Sequence, residues 1–289
     1  MATGAVQRIF VLGNAHRPGV QEAAETLLPF LRQYVDILVF DLHQKEDLSR
    51  QGADLALVLG GDGAILRAAR QMGYQQTPVL GVNLGKLGFL ADLSPDELRS
   101  HFPEVVRGEY RVTHHLMFEC VVSRPRGAEP GPGLVLLGLN EVVLHTGPPF
   151  RMIDVDLLVD GVTVSRFAGD GLIVSTPVGS TAHSLSAGGP ILGQELSAFV
   201  ITPISPHTLT NRPVVDSADK TYTIDVRRAD GEAALIIDGQ ETIPVGAGQQ
   251  VTVRRAPVQF GLVKVPGQSY YRTLREKLFW GTVPNYREP

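Results

Sequence analysis

Cysteine is nearly missing from this chain. Cys120 is the single example in 289 residues, which excludes an internal disulfide framework and points to a reducing, cytoplasmic setting. Long apolar runs are missing too. None approaches the roughly 20 residues that a bilayer-spanning helix needs, and the opening Met1-Ala2-Thr3-Gly4-Ala5-Val6-Gln7-Arg8 has no signal-like apolar region. Positive charge is not in excess: 26 Lys and Arg against 30 Asp and Glu give a net charge of −4. That balance excludes a general pull toward nucleic acid or anionic membrane. His16, His114 and His115 lack ligand spacing with other His, Cys or acids, which argues against a zinc site. Charged residues are 19% of the chain, too few for extended disorder, while 43% hydrophobic residues suffice for one large or two ordinary domains.

What is present begins with alternation. Short buried strands are predicted at 9–12, 35–40, 55–59 and 78–82, with helical runs at about 20–33, after Gly63, and from Ser94-Pro95-Asp96-Glu97. Ser94 is placed to cap that last helix, with Pro95 in its first turn. Such alternation implies a parallel sheet covered by helices, with ligands at the carboxyl ends of the strands. From about Arg111 the pattern changes to short β-rich segments: 116–123, 134–144, 153–159, 162–167, 172–175, 199–202, 221–226, 234–237 and 250–254. Asp160-Gly161, Asp230-Gly231 and Asp238-Gly239 punctuate them, and 124–133 reads as a Pro/Gly-rich surface loop. Many short strands at this spacing predict an antiparallel sandwich or layered sheet. A closing helix over 270–280 is expected to pack back on the first domain.

The chemistry concentrates in a few places. The run 55–59 ends at Gly60-Gly61-Asp62-Gly63 and a helix-period pattern follows. A strand, a tight glycine turn and a helix start can aim backbone N–H groups at a phosphate. A carboxylate there would repel a phosphate unless it binds a proton, a hydroxyl or a metal. The plainer reading is that Asp62 caps the helix. A second glycine–acid turn, Gly169-Asp170-Gly171, is weaker, since Asp-Gly marks ordinary turns. The segment 175–190 then packs hydroxyls, glycines and His183 directly after a strand. Ordering such a loop costs entropy with little apolar burial in return, so its hydroxyls are expected to face a base or ribose.

These motifs, with Leu139-Asn140-Glu141, Thr202-Pro203-Ile204-Ser205-Pro206-His207, Arg212-Pro213, Asp238-Gly239-Gln240 and the stretch 271–281, resemble the NAD kinases, in order and over almost the whole chain. The resemblance implies an α/β N-terminal domain with a parallel Rossmann-like sheet, a β-rich second domain, and a C-terminal helix returning to the first. The boundaries expected are 1–110 with 265–289 for the nucleotide-phosphate domain and 111–264 for the NAD-binding domain. It further implies transfer of the terminal phosphate of ATP, or of inorganic polyphosphate, to the 2′-hydroxyl of the adenosine ribose of NAD, giving NADP.

By the same resemblance Asp62 is the general base and Gly63 offers a backbone contact. Asn140 and Glu141 hold nucleoside hydroxyl and base edges, Arg151 offsets diphosphate charge, and Asp170 lies on the nicotinamide side. Thr181, Ala182, His183, Ser184, Leu185 and Ser186 line the adenine and ribose pocket, with Gln240 nearby. Arg67, one turn into the helix, is a candidate for an ATP phosphate. Mg²⁺ or another divalent metal is expected on the ATP oxygens rather than in a protein cage. The partners implied are NAD, ATP and further copies of the chain in a dimer or tetramer, with no nucleic acid and no membrane.

Three positions depart from the family pattern: Ala64 where threonine is frequent, His183 for the usual tyrosine, and Ala168 where some relatives carry arginine. Imidazole stacks less area on adenine than a phenol ring, and Ala168 shifts charge compensation toward Arg151 and Arg166. Two other readings stay open. A lipid or sphingoid kinase shares the turn around Asp62, although no amphipathic or basic membrane element is evident. A catalytically inactive dinucleotide sensor would keep the pocket, although binding alone gains little from an anion beside phosphates.

Overall fold

The computed structural model describes residues 4–91, 93–124, 131–208, 210–229, 231 and 233–278. The chain opens with β1 (Arg8–Gly13), α1 (Val20–Leu31), β2 (Asp36–Asp41), β3 (Leu55–Leu59), α2 (Asp62–Met72), β4 (Val79–Val82) and α3 (Pro95–Val106). It continues through β5 (Arg111–Val122), β6 (Leu134–Gly138), β7 (Glu141–His145), β8 (Ile153–Val159), β9 (Val162–Gly169) and β10 (Gly171–Ser175). A 3-10 turn (Gly179–Thr181) and α4 (His183–Ser186) precede β11 (Ala198–Ile204), β12 (Val214–Ser217), β13 (Tyr222–Arg228), β14 (Ala233–Ile237) and β15 (Glu241–Val245). The long β16 (Gln250–Lys264) and α5 (Tyr270–Leu278) follow. Two compact units result: Met1–Thr113 with Gly261–Pro289, and His114–Phe260.

The first unit is a parallel sheet. Its order is β2-β1-β3-β4, and Leu262 near the end of β16 adds beside Val79 of β4. β3 is buried at all five positions, as expected of a strand covered on both faces. Helix α1 buries Val20, Ala24, Leu27 and Leu31, one stripe at helical spacing. Helix α3 begins as the sequence predicts: the Ser94 hydroxyl accepts from the Glu97 amide, the Glu97 carboxylate accepts from the Ser94 amide, and Pro95 occupies the first turn. Phe102 of α3 meets Phe30 of α1 with ring centroids 5.9 Å apart, closing that side of the core. Helix α5 belongs to this unit; residues 279 and 280 of the predicted helix lie outside the described residues.

The second unit is a sandwich. One sheet runs β12-β11-β10-β7-β14-β15, with every pairing antiparallel. The other contains β13 between β16 and β8, then β9, with β5 on β16 and β6 on β5. Alternate residues of both sheets share one core: Phe118 and Cys120 of β5, Leu172 and Val174 of β10, Tyr222 and Ile224 of β13, Leu235 and Ile237 of β14. Burial pushes the Cys120 thiol up to about 12, so it is chemically quiet. The expected segment 134–144 is two strands, because the chain breaks at Leu139-Asn140. β12 and β15, absent from the sequence expectations, are the two edges of their sheet. Most of the loop expected at 124–133, and Asp230 of the second Asp-Gly turn, lie outside the described residues.

Candidate active site

The first unit presents Asp62. The buried strand β3 ends, Gly60 turns at φ 136°, and Gly61 stands at the N-cap of α2 without a side-chain cap, so Asp62 opens the helix instead of capping it. Its carboxylate is held from another direction. Oδ2 accepts the Phe89 amide at 2.9 Å, and Oδ1 accepts the amides of Leu90 and Ala91 at 2.9 and 3.1 Å. The loop that supplies them follows β4 and is itself tied: Asn83 donates from Nδ2 to the Lys86 carbonyl at 2.6 Å and accepts from the Gly85 amide at 2.9 Å. Gly88 is required there, since a Cβ would overlap Asp62 Oδ1. Lys277 of α5 brings Nζ to 3.5 Å from Asp62 Oδ2 and 4.4 Å from the centroid of the Phe89 ring. Gly63 is exposed beside Asp62, and Arg67 is half-buried on α2.

In the second unit, Asp238 fixes two of the other predicted residues, Asn140 and Glu141. The Asp238 carboxylate accepts the main-chain amides of Leu139, Asn140 and Glu141 at 2.9, 2.8 and 3.1 Å. These bonds fix the break between β6 and β7 on which Asn140 and Glu141 sit. The 175–190 segment docks on the same break. The Thr176 amide donates to the Asn140 carbonyl at 2.9 Å, and the Thr176 hydroxyl donates to the Leu139 carbonyl. Gly179 lies against the Asn140 carbonyl so closely that a Cβ would overlap its oxygen. Asn140, Glu141 and the turn leading into Thr181 therefore form one constellation.

Glu141 is 4% exposed, and its Oε2 has no hydrogen-bond partner among the described residues. Burial pushes its pKa up to about 8, with the nearby Asp238 carboxylate adding to the rise and the His183 main-chain N–H opposing it. At neutral pH the side chain keeps its proton and can donate one hydrogen bond as well as accept.

The hydroxyls of the loop depart from expectation. Ser175 and Thr176 donate to main-chain carbonyls, Ser180 donates to the Pro177 carbonyl at 2.6 Å, and Thr181 donates to the Val178 carbonyl at 3.1 Å. Ser184 is fully buried 2.9 Å from the Thr202 hydroxyl. Most of these groups hold the loop's own shape, which offsets the ordering entropy that the sequence reading assigned to a ligand. His183 and Ser186 are exposed, while Ala182 and Leu185 are half-buried. Asp170 sits between β9 and β10, its amide donating to the Ile204 carbonyl and its carbonyl accepting from Thr146. Gln240 is exposed in the turn after Asp238, and Arg151 is exposed in the loop after β7. Arg166 is engaged by Asp156 at 2.7 Å, as is Arg227.

Comparison with known proteins settles the family. The family model described as the ATP-NAD kinase N-terminal domain matches residues 14–110, and that of the ATP-NAD kinase C-terminal domain matches 139–265. The NAD kinase of Rhodopirellula baltica is 46% identical over 277 residues, spanning 96% of this chain and 88% of that protein. The chain belongs to the NAD kinase family.

The NAD kinase of Geobacter sulfurreducens is 40% identical over 286 residues, spanning 96% of this chain and 99% of that one. Among solved structures, yeast NADH kinase complexed with NADH aligns with a TM-score of 0.88 over 99% of this chain and 91% of that one; at 24% identity it supports the fold alone. An NAD kinase from Archaeoglobus fulgidus in complex with ATP aligns with a TM-score of 0.74 at 28% identity, over 94% and 99% of the two chains. The chain is thus an enzyme that phosphorylates NAD, on a two-domain fold shared with its relatives.

Sequence reasoning passed over three groups at these sites. Asp238 was visible as part of Asp238-Gly239-Gln240, without a sign of its task. Gly88, in the turn after the fourth strand, and Lys277, within the matched stretch 271–281, gave no sign of their tasks, because these come from contacts with Asp62 far away in the chain.

Proposed function

We propose that Asp62 removes the proton from the 2′-hydroxyl of the adenosine ribose of NAD while that oxygen attacks the terminal phosphorus of ATP, giving NADP and ADP. The observation that carries this reading is the threefold amide tether on Asp62. A carboxylate offers about four lone-pair positions. Three are filled by amides from one loop, so the group is locked in orientation and keeps one acceptor position, on Oδ2. A ribose hydroxyl is a poor nucleophile, and a positioned base contributes roughly 10²–10⁴-fold. Gly63 gives a main-chain contact, and Arg67 is directed to donor phosphate.

In the second unit Asn140, Glu141 and the residues Thr181, Ala182, His183, Leu185 and Ser186 hold base and sugar edges, with Gln240 beside them and the buried Ser184 supporting the loop through Thr202. The protonated Glu141 donates to an acceptor atom of the nucleoside. Arg151 offsets diphosphate charge and Asp170 meets the nicotinamide side. The divalent cation enters with the substrate, as the magnesium complex of ATP. Polyphosphate is the second candidate donor. A homo-oligomer and a cytoplasmic location complete the reading, on the family resemblance and the single buried thiol. No helix among the described residues is long and apolar enough to cross a membrane.

The test is incubation of the full chain with NAD, Mg²⁺ and either ATP or polyphosphate, with NADP followed by an NADP-specific dehydrogenase. NADP formed with ATP supports the reading. No NADP with either donor overturns it.

A further inference from the structure

Among the described residues Lys277 meets the Asp62 carboxylate and the Phe89 ring. Asp62 is already oriented by three amides, so the lysine is not needed to aim it. The ammonium lies 3.5 Å from Oδ2, longer than a close charge-assisted hydrogen bond. The two side chains are 34% and 28% exposed, and at this separation a solvent-accessible pair adds little to stability. What positions the ammonium is the Phe89 ring, 4.4 Å from Nζ to the centroid, which attracts a cation without filling its hydrogen-bonding directions. Phe89 also packs against Tyr270 at the start of α5, with centroids 6.4 Å apart, so both ends of this helix are referred to the loop that holds Asp62. The oxygen the lysine approaches is also the one with the free acceptor position.

We propose that Lys277 is a catalytic residue whose ammonium transfers from Asp62 Oδ2 to the phosphoryl group in flight. The inference rests on the reading of Asp62 as the base. An acceptor hydroxyl hydrogen-bonded to Oδ2 puts the incoming phosphorus one bond further out, within reach of a flexible ammonium that already stands beside Oδ2. In the step, the acceptor O–H bond breaks and its proton goes to Asp62. The new O–P bond forms, the bond from phosphorus to the bridging oxygen of ATP breaks, and that electron pair leaves with ADP. Lys277 keeps all three protons and contributes charge. In phosphoryl transfer the negative charge is spread over three equatorial oxygens, and a preorganised cation beside them lowers the barrier. Before substrate arrives, the same ammonium offsets the Asp62 anion, which otherwise repels the incoming phosphates.

The test uses the full chain with NAD and magnesium ATP, and the variants Lys277→Met, Lys277→Arg and Lys277→Ala. Lys277→Met keeps apolar contact with Phe89 and loses the charge. We expect its kcat to fall at least about 30-fold while KM for NAD stays within about threefold. Lys277→Arg, or added ethylammonium acting on Lys277→Ala, should restore part of that rate. A kcat for Lys277→Met within about threefold of the parent overturns the proposal. So does a loss that neither arginine nor ethylammonium repairs, because a helix displaced from the loop would behave that way. Asp62→Asn run in parallel separates the two ideas: an inactive Asp62→Asn beside a fully active Lys277→Met removes the role of the lysine and leaves the base in place.

Discussion

Replacing Glu141 with glutamine should raise stability at alkaline pH and leave it nearly unchanged in acid. The carboxyl is 4% exposed, stands beside Asp238, and has its pKa pushed up to about 8 from an ordinary 4.5. Below pH 4.5 the side chain is neutral both folded and unfolded, so it carries no penalty. Between the two values the unfolded chain releases the proton and the folded chain keeps it, which favours unfolding more with each step in pH. Above about pH 8 both states are ionised and the penalty is complete. At about 1.4 kcal/mol per pH unit, that window sets a ceiling of about 5 kcal/mol. Local relaxation and water entry bring the expected value to about 2–3 kcal/mol. Glutamine keeps the shape and does not titrate. Urea unfolding of both proteins at about pH 5, 6.5 and 8.5 reads the difference directly, and titrations elsewhere cancel. We expect the two to agree near pH 5 and the variant to lead by about 2–3 kcal/mol at pH 8.5. A difference that is constant across the range would refute the buried neutral acid.

Two further substitutions probe the supports of each half-site. Gly88→Ala forces a Cβ into Asp62 Oδ1; kcat should fall at least about tenfold with the circular dichroism spectrum unchanged, and an unaltered kcat would show that the amide tether is dispensable. Asp238→Ala leaves the amides of Leu139, Asn140 and Glu141 without their acceptor. At about 1–3 kcal/mol for each buried group, stability should drop by at least about 3 kcal/mol and KM for NAD should rise; a urea measurement under about 1 kcal/mol would contradict this.

The parallel sheet was legible because β1, β3 and β4 are each followed by a helical stripe, and because Ser94, Pro95 and Glu97 encode their helix start within four residues. The hairpin at Asp160-Gly161 was equally local, with both residues at positive φ. β12 and β15 escaped because edge strands bury little and leave a weak alternation; β15 even carries Pro244, which only an edge tolerates. The break at Asn140 escaped for another reason. Leu134 to Leu144 is apolar enough for one strand, and what divides it is the Asp238 carboxylate, 98 residues from Asn140.

The candidate site divides the same way. The glycine turn and the Ser/Thr-rich loop could be found from composition, since both are dense in residues that packing does not need. Their inner workings could not. The hydroxyls of Ser180 and Ser184 read as ligand groups until the structure shows them satisfied by Pro177 and Thr202. The tether on Asp62 comes from amides 27 to 29 residues on, a main-chain contribution that no side-chain pattern reports.

The most direct measurement is turnover of Asp62→Asn at saturating NAD and ATP, taken together with its Kd for NAD by calorimetry. Loss of the proton acceptor predicts a kcat lower by at least about a hundredfold with Kd within about threefold of the parent. Parental turnover in that variant would mean that the ribose proton leaves by another route.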